Sequence, residues 1–131
     1  MRILIDTHIL IWTATDRLSE KAPKAVSYIE DKSNELFFSS ACIWETAIKH
    51  GNGRDNSIID PTLLYSGLLM AGYRELPVTG RHTLLISTLP LIHKDPFDRI
   101  LLAQSISEGI PLLTSDKLMS QYPGSVIYVG L

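Results

Sequence analysis

Short apolar runs alternate with longer segments of helical period along almost the whole chain, and that alternation constrains the fold more than any other feature. Four runs bounded by polar or turn residues read as strands: Arg2–Ile5, Leu36–Phe38, Pro111–Leu113 and Val126–Val129. Arg74–Val78 is a fifth and weaker one, because Pro77 has no N–H to give to a central ladder. Between them, Lys21–Asp31, Ala41–His50, Pro61–Ala71, Arg81–Thr88 and Pro96–Glu108 carry helical spacing. Asp60-Pro61 and Asp95-Pro96 each read as an N-cap followed by proline at the first helical position. Gly51, just after Lys49-His50, reads as a helix stop in the left-handed conformation. Strands that alternate with helices are joined by right-handed crossovers. The expectation is therefore α/β: one domain over residues 1–131, with a central parallel sheet of about five strands flanked by α-helices. Gly51–Ser57 is the one obvious flexible loop.

Composition narrows the function classes. A chain of 131 residues, 45% apolar and 20% charged, is long enough for a sizeable core and too apolar for disorder. Its apolar runs are too short to cross a bilayer, and Asp6 interrupts the opening RILI before a secretory signal can form, so the cytoplasm is the expected compartment. Cys42 is the single cysteine, which rules out an internal disulfide and a cysteine-built zinc site; between Ala41 and Ile43 it reads as a core residue. A net charge of −2 gives no support for broad attachment to nucleic acid. Lys49, Arg54, Arg81, Lys94, Arg99 and Lys117 remain available for a local basic rim.

In open parallel sheets the ligand site lies beyond the carboxyl ends of the strands, and acidic residues gather there. Asp6 directly follows the first strand, Asp116 follows the fourth, and Glu45 sits in the helix after the second. Asp98 occupies the opening turn of the Pro96–Glu108 helix. Each has a plain structural explanation. Asp6 and Asp116 can cap short helices, and Glu45 can pair with Lys49 four residues on. Asp95 can cap the helix in which Asp98 then holds the third position, where a negative charge is worth roughly 0.3–1 kcal/mol. Against those explanations, Asp98 shares its helix stripe with Leu101, Leu102 and Ser105, and Glu45 is flanked by Ile43, Trp44, Ala47 and Ile48. Carboxylates gathered on a partly buried edge stay ionised together only if cations compensate them. Oxygen ligands without cysteine favour Mg2+ or Mn2+ over zinc.

Four segments in order, LIDTHILIW (Leu4–Trp12), IWE (Ile43–Glu45), HKDPFDRILLAQS (His93–Ser105) and LLTSDK (Leu112–Lys117), resemble the PIN-domain nucleases over essentially the whole chain. More narrowly, they resemble the VapC-type toxins of toxin–antitoxin pairs. The resemblance implies a PIN-like fold and a metal-binding set of Asp6, Glu45, Asp98 and Asp116, with Asp6 and Asp98 as the leading direct ligands. It further implies a Mg2+- or Mn2+-dependent endoribonuclease, a cognate antitoxin protein as partner, and a homodimer. Such a set supports hydrolysis of RNA phosphodiesters with a 5′-phosphate as product and no cysteine, serine or histidine nucleophile. Single-stranded or looped RNA is the expected substrate. Thr114 and Ser115 are candidates to orient water or a carboxylate, while His8 and His93 read as hydrogen-bonding neighbours rather than ligands. Whether Arg99 meets phosphate or a neighbouring acid stays open.

Three rival readings fit parts of the pattern. A haloacid-dehalogenase-type phosphatase needs a second aspartate two residues after the first, where this chain has His8. A receiver domain needs an acidic pair after the first strand and a phosphoacceptor after the third, where Val78-Thr79-Gly80 stands. A catalytically inactive PIN-like interaction module is compatible with the fold, but all four acids are present.

Overall fold

The computed structural model describes residues 1–51 and 59–130. Five parallel strands form one sheet: β1 (Arg2–Ile5), β2 (Glu35–Ser39), β3 (Arg74–Leu76), β4 (Leu112–Thr114) and β5 (Val126–Tyr128), in the order β3-β2-β1-β4-β5. β1 and β4 lie in the middle, and Ile3, Leu4, Ile5, Leu112 and Leu113 are each fully buried. A strand covered on both faces needs a continuous apolar run, which both segments provide. β3 is an edge strand of three residues that stops before Pro77, shorter than Arg74–Val78, because proline ends the ladder.

Seven α-helices are described: α1 (Thr7–Ala14), α2 (Leu18–Lys21), α3 (Val26–Glu30), α4 (Ser40–Gly51), α5 (Pro61–Met70), α6 (Gly80–Ile86) and α7 (Pro96–Glu108). The single helix expected over Lys21–Asp31 is broken. Pro23 forces Ala22 out of the helical region, to φ −146° and ψ 71°, and a 3-10 turn at Pro23–Ala25 restarts the chain into α3. Asp60 and Asp95 cap α5 and α7, accepting from the N–H groups of Thr62 and Phe97. Gly51 stays helical as the last residue of α4 and is not left-handed. That role falls instead to Gly109, which ends α7 at φ 65°. The rest of the Gly51–Ser57 loop, with Arg54, lies outside the described residues.

The order places β1 between β2 on one side and β4 on the other. The chain runs outward from β1 to β3, then returns through α7 to β4. The carboxyl ends of β1 and β4 are thus neighbours, joined by the bond from the Asp6 N–H to the Leu113 carbonyl at 3.0 Å. This is the switch point of the sheet. α7 packs against α4, α6 and β4, with Ile100 to Ser105 all buried. No helix among the described residues is long and apolar enough to cross a membrane.

Candidate active site

Asp6 leaves β1 as the N-cap of α1 and is 1% exposed. One carboxylate oxygen accepts from the Thr7 N–H at 2.7 Å, and the other accepts from the Thr114 hydroxyl at 2.6 Å. The cap and the buried site are thus the same side chain. The Thr114 oxygen also accepts from the Asp116 N–H at 3.0 Å, so one hydroxyl at the end of β4 links two of the acids. Burial pushes the Asp6 pKa up, against the pull of the Thr114 bond.

Asp98 holds the third position of α7, and Asp116 caps the 3-10 turn Lys117–Gln121 through the Leu118 N–H at 2.9 Å. They converge on one atom. His93 Nε2 lies 2.7 Å from Asp116 Oδ2 and 3.1 Å from Asp98 Oδ2. Among the described residues, His93, Asp98 and Asp116 form the one group of three metal-ligand side chains whose ligand atoms all lie within 4.8 Å of one another. Burial pushes the Asp98 pKa up to about 8, reinforced by the charges of Asp6, Asp95 and Glu45 and opposed by His93. Burial pulls the His93 imidazole down, but the Asp116 bond and the charges of Asp98, Asp116 and Asp95 outweigh it and hold the pKa above its ordinary value.

Glu45 lies on the buried stripe of α4 with Ala41, Cys42 and Thr46, which is why it points into the protein. Its Oε2 pairs with Lys49 Nζ at 2.8 Å, as the spacing suggested, but the glutamate is 4% exposed rather than solvated. Its Oε1 is buried without a hydrogen-bond partner among the described residues. An orphaned carboxylate oxygen costs about 1–3 kcal/mol or more, so it marks a position that something else satisfies.

The four expected acids therefore occupy one neighbourhood, in two tiers. Asp98 and Asp116 share an imidazole, while Asp6 and Glu45 are more deeply buried and act on Asp98 through charge. Asp95 is a cap, as expected. His8 is exposed and lies against Trp12, with ring centroids 5.8 Å apart. Arg99 pairs with no acid among the described residues. Its guanidinium donates to the carbonyls of Ile86 (3.1 Å), Pro90 (3.0 Å) and His93 (3.4 Å) and to the Tyr122 hydroxyl (3.2 Å). The Tyr122 hydroxyl in turn accepts from the backbone N–H groups of Ile92 and His93. Arg99 and Tyr122 thus brace the segment that presents His93. Sequence reasoning missed Tyr122; nothing local around Gln121-Tyr122-Pro123 marks it, because its partners lie about thirty positions earlier.

Oxygen ligands with a neighbouring imidazole, raised carboxyl pKa values and an unpartnered buried oxygen fit a hard divalent cation. A family model described as the PIN domain matches residues 3–125. Among solved structures, the chain is similar to VapBC2 from Rickettsia felis bound to a DNA fragment from its promoter (TM-score 0.71, 13% identity, 98% of each chain). It is likewise similar to DNA-bound VapBC from Salmonella typhimurium (TM-score 0.69, 14% identity, 98% of each chain). VapBC-1 from nontypeable Haemophilus influenzae matches with a TM-score of 0.64 at 17% identity, again over 98% of each chain. At such identities the likeness is one of fold. No curated protein matches the sequence.

Proposed function

The chain belongs to the PIN-domain family, and from that premise we propose that it is a Mg2+- or Mn2+-dependent endoribonuclease acting as the VapC-type toxin of a toxin–antitoxin pair. The observation that carries the reading is the meeting of Asp98 and Asp116 at His93, beside the buried carboxylates of Asp6 and Glu45 whose charges reinforce the burial that pushes the Asp98 pKa up to about 8. Those four side chains would hold the cation. When bound, a divalent cation supplies Lewis-acid activation of water and offsets charge at the phosphoryl group. Thr114 fixes the Asp6 carboxylate and the start of the Asp116 turn, so two acids keep one orientation. A bound cation would favour the ionised form of Asp98 over the protonated one. Lys49, half-exposed beside Glu45, supplies a positive charge at the site for an RNA phosphate.

The test is cleavage of a cellular RNA pool in Mg2+, Mn2+ or chelator, comparing the parent with Asp98→Ala. Metal-dependent cleavage that the substitution abolishes is expected. Equal cleavage by the variant, or cleavage that persists in chelator, would sink the mechanism.

The same reading proposes a soluble cytoplasmic protein, a cognate antitoxin that blocks the site, and a homodimer. Trp44, 63% exposed, meets Phe97 edge-on at 5.0 Å beside an apolar cavity of about 490 Å³ that Val78, Ile86 and Ile100 also line. An exposed apolar patch of this kind is a surface on which two protomers would pair. Light scattering should give twice the chain mass at tens of micromolar; a persistent monomer counts against the dimer.

A further inference from the structure

His93 stands where a ligand could stand, and its ring nitrogens decide what it does. Nε2 faces two carboxylate oxygens, at 2.7 and 3.1 Å. Nδ1 accepts a hydrogen bond from the Asp95 N–H at 3.2 Å. An N–H donor aimed at Nδ1 requires a lone pair there, so the proton of the neutral ring sits on Nε2, pointing at Asp98 and Asp116. To coordinate a cation through Nε2, the ring would have to move that proton to Nδ1 and lose the Asp95 bond. The Asp95 N–H at Nδ1 and the two carboxylates at Nε2 orient the ring. Its backbone N–H is held by Tyr122 and its carbonyl by Arg99, both part of the brace behind the segment.

We propose that His93 is the positioning residue of this site. Its Nε2–H gathers the Asp98 and Asp116 carboxylates onto one donor, and its Nδ1 is committed to the Asp95 backbone. His93 therefore meets a divalent cation as a hydrogen-bond neighbour of the ligands and not as a ligand. The proposal rests on the cation-dependent reading above. It explains why Asp116, from the turn after β4, stands beside Asp98 before any cation compensates them. It also assigns the His-x-Asp-Pro start of the helix two tasks: Asp95 caps α7, and its own N–H sets the tautomer of His93.

The test uses the full chain labelled with 15N at histidine, in long-range 1H–15N spectra recorded at mildly basic pH without metal and through a Mg2+ titration. His93→Gln identifies the His93 signals by their loss. The expected result is a protonated Nε2 and an unprotonated Nδ1, in both the metal-free and the Mg2+-loaded protein. A proton on Nδ1, a doubly protonated ring, or loss of the Nε2 proton on Mg2+ binding would overturn the proposal while leaving the ribonuclease reading intact. A chain that shows the tautomer but does not respond to Mg2+ overturns the cation-dependent reading, and the proposal with it. Calorimetry supplies the second arm. His93→Ala should weaken Mg2+ binding by roughly 10–100-fold, as loss of a residue that orients ligands does. His93→Gln, which keeps a side-chain N–H donor, should recover most of that loss. Unchanged affinity in His93→Ala would overturn the positioning role.

Discussion

Asp98→Asn should stabilise the metal-free protein, by an amount that grows with pH. The Asp98 pKa lies at about 8 in the folded chain against an ordinary value of 3.8, and the side chain is only 16% exposed. Between those two values the folded chain holds a proton that the unfolded chain has released. Folding takes up a proton across that window, so the stability tied to this group is fully present below about pH 4 and is lost as pH rises toward 8. At about 1.4 kcal/mol per pH unit, the loss reaches roughly 4 kcal/mol near pH 7. Asparagine has no charge to lose and keeps an oxygen that can accept from His93 Nε2. The net gain is therefore roughly 4 kcal/mol near pH 7, or on the order of 10 °C in Tm for a chain of this length. The assay is thermal unfolding by circular dichroism with chelator present, parent against variant, from about pH 4 to about pH 8. The two curves should converge at the acid end. A variant less stable than the parent at neutral pH, or a gap that acid does not narrow, would refute the reasoning.

Arg99→Met removes the donor that holds the carbonyls of Ile86, Pro90 and His93, and should cost roughly 2 kcal/mol, read as a lower urea midpoint at unchanged slope. Unchanged stability with weakened RNA binding would instead make Arg99 a phosphate contact. Thr114→Val keeps the shape of the side chain but leaves Asp6 Oδ2 and the Asp116 N–H without their partner. It should cost about 1–3 kcal/mol and raise the Asp6 pKa further, since the Thr114 bond holds it down. Urea unfolding and NMR titration of the Asp6 carboxyl carbon check both; a neutral substitution would show that the link carries no energy.

Much of the fold was legible because it is written in short-range patterns. Apolar runs without polar interruption marked β1 and β4 as central strands, and the two Asp-Pro pairs marked the starts of α5 and α7. The apolar residues around Glu45 already argued that it faces inward, although the Lys49 spacing argued for a surface pair. Both hold, because the pair forms with the glutamate on the buried stripe. The break in Lys21–Asp31 was also local, since Pro23 restricts the residue before it; helical spacing on either side concealed it.

The site itself was legible only as a set of candidates. Each acid has a local role in the structure: Asp6 and Asp116 are caps, Asp98 holds the third position of α7, and Glu45 is an ion-pair partner. Capping and site geometry are compatible because a capping carboxylate has a second oxygen to offer. Asp6 uses one oxygen for Thr7 and the other for a hydroxyl 108 residues away. No local pattern encodes a bond of that span. The sequence by itself determined the residue types, the strand–helix alternation and the ends of the helices, since those follow from neighbours within a turn or two. Only the tertiary structure decided that β1 and β4 lie side by side, that Asp98 and Asp116 meet at His93, and that Arg99 reaches the carbonyls of Ile86, Pro90 and His93. Strand order sets those meetings, and strand order is fixed by long-range packing of buried apolar faces, which local sequence does not specify.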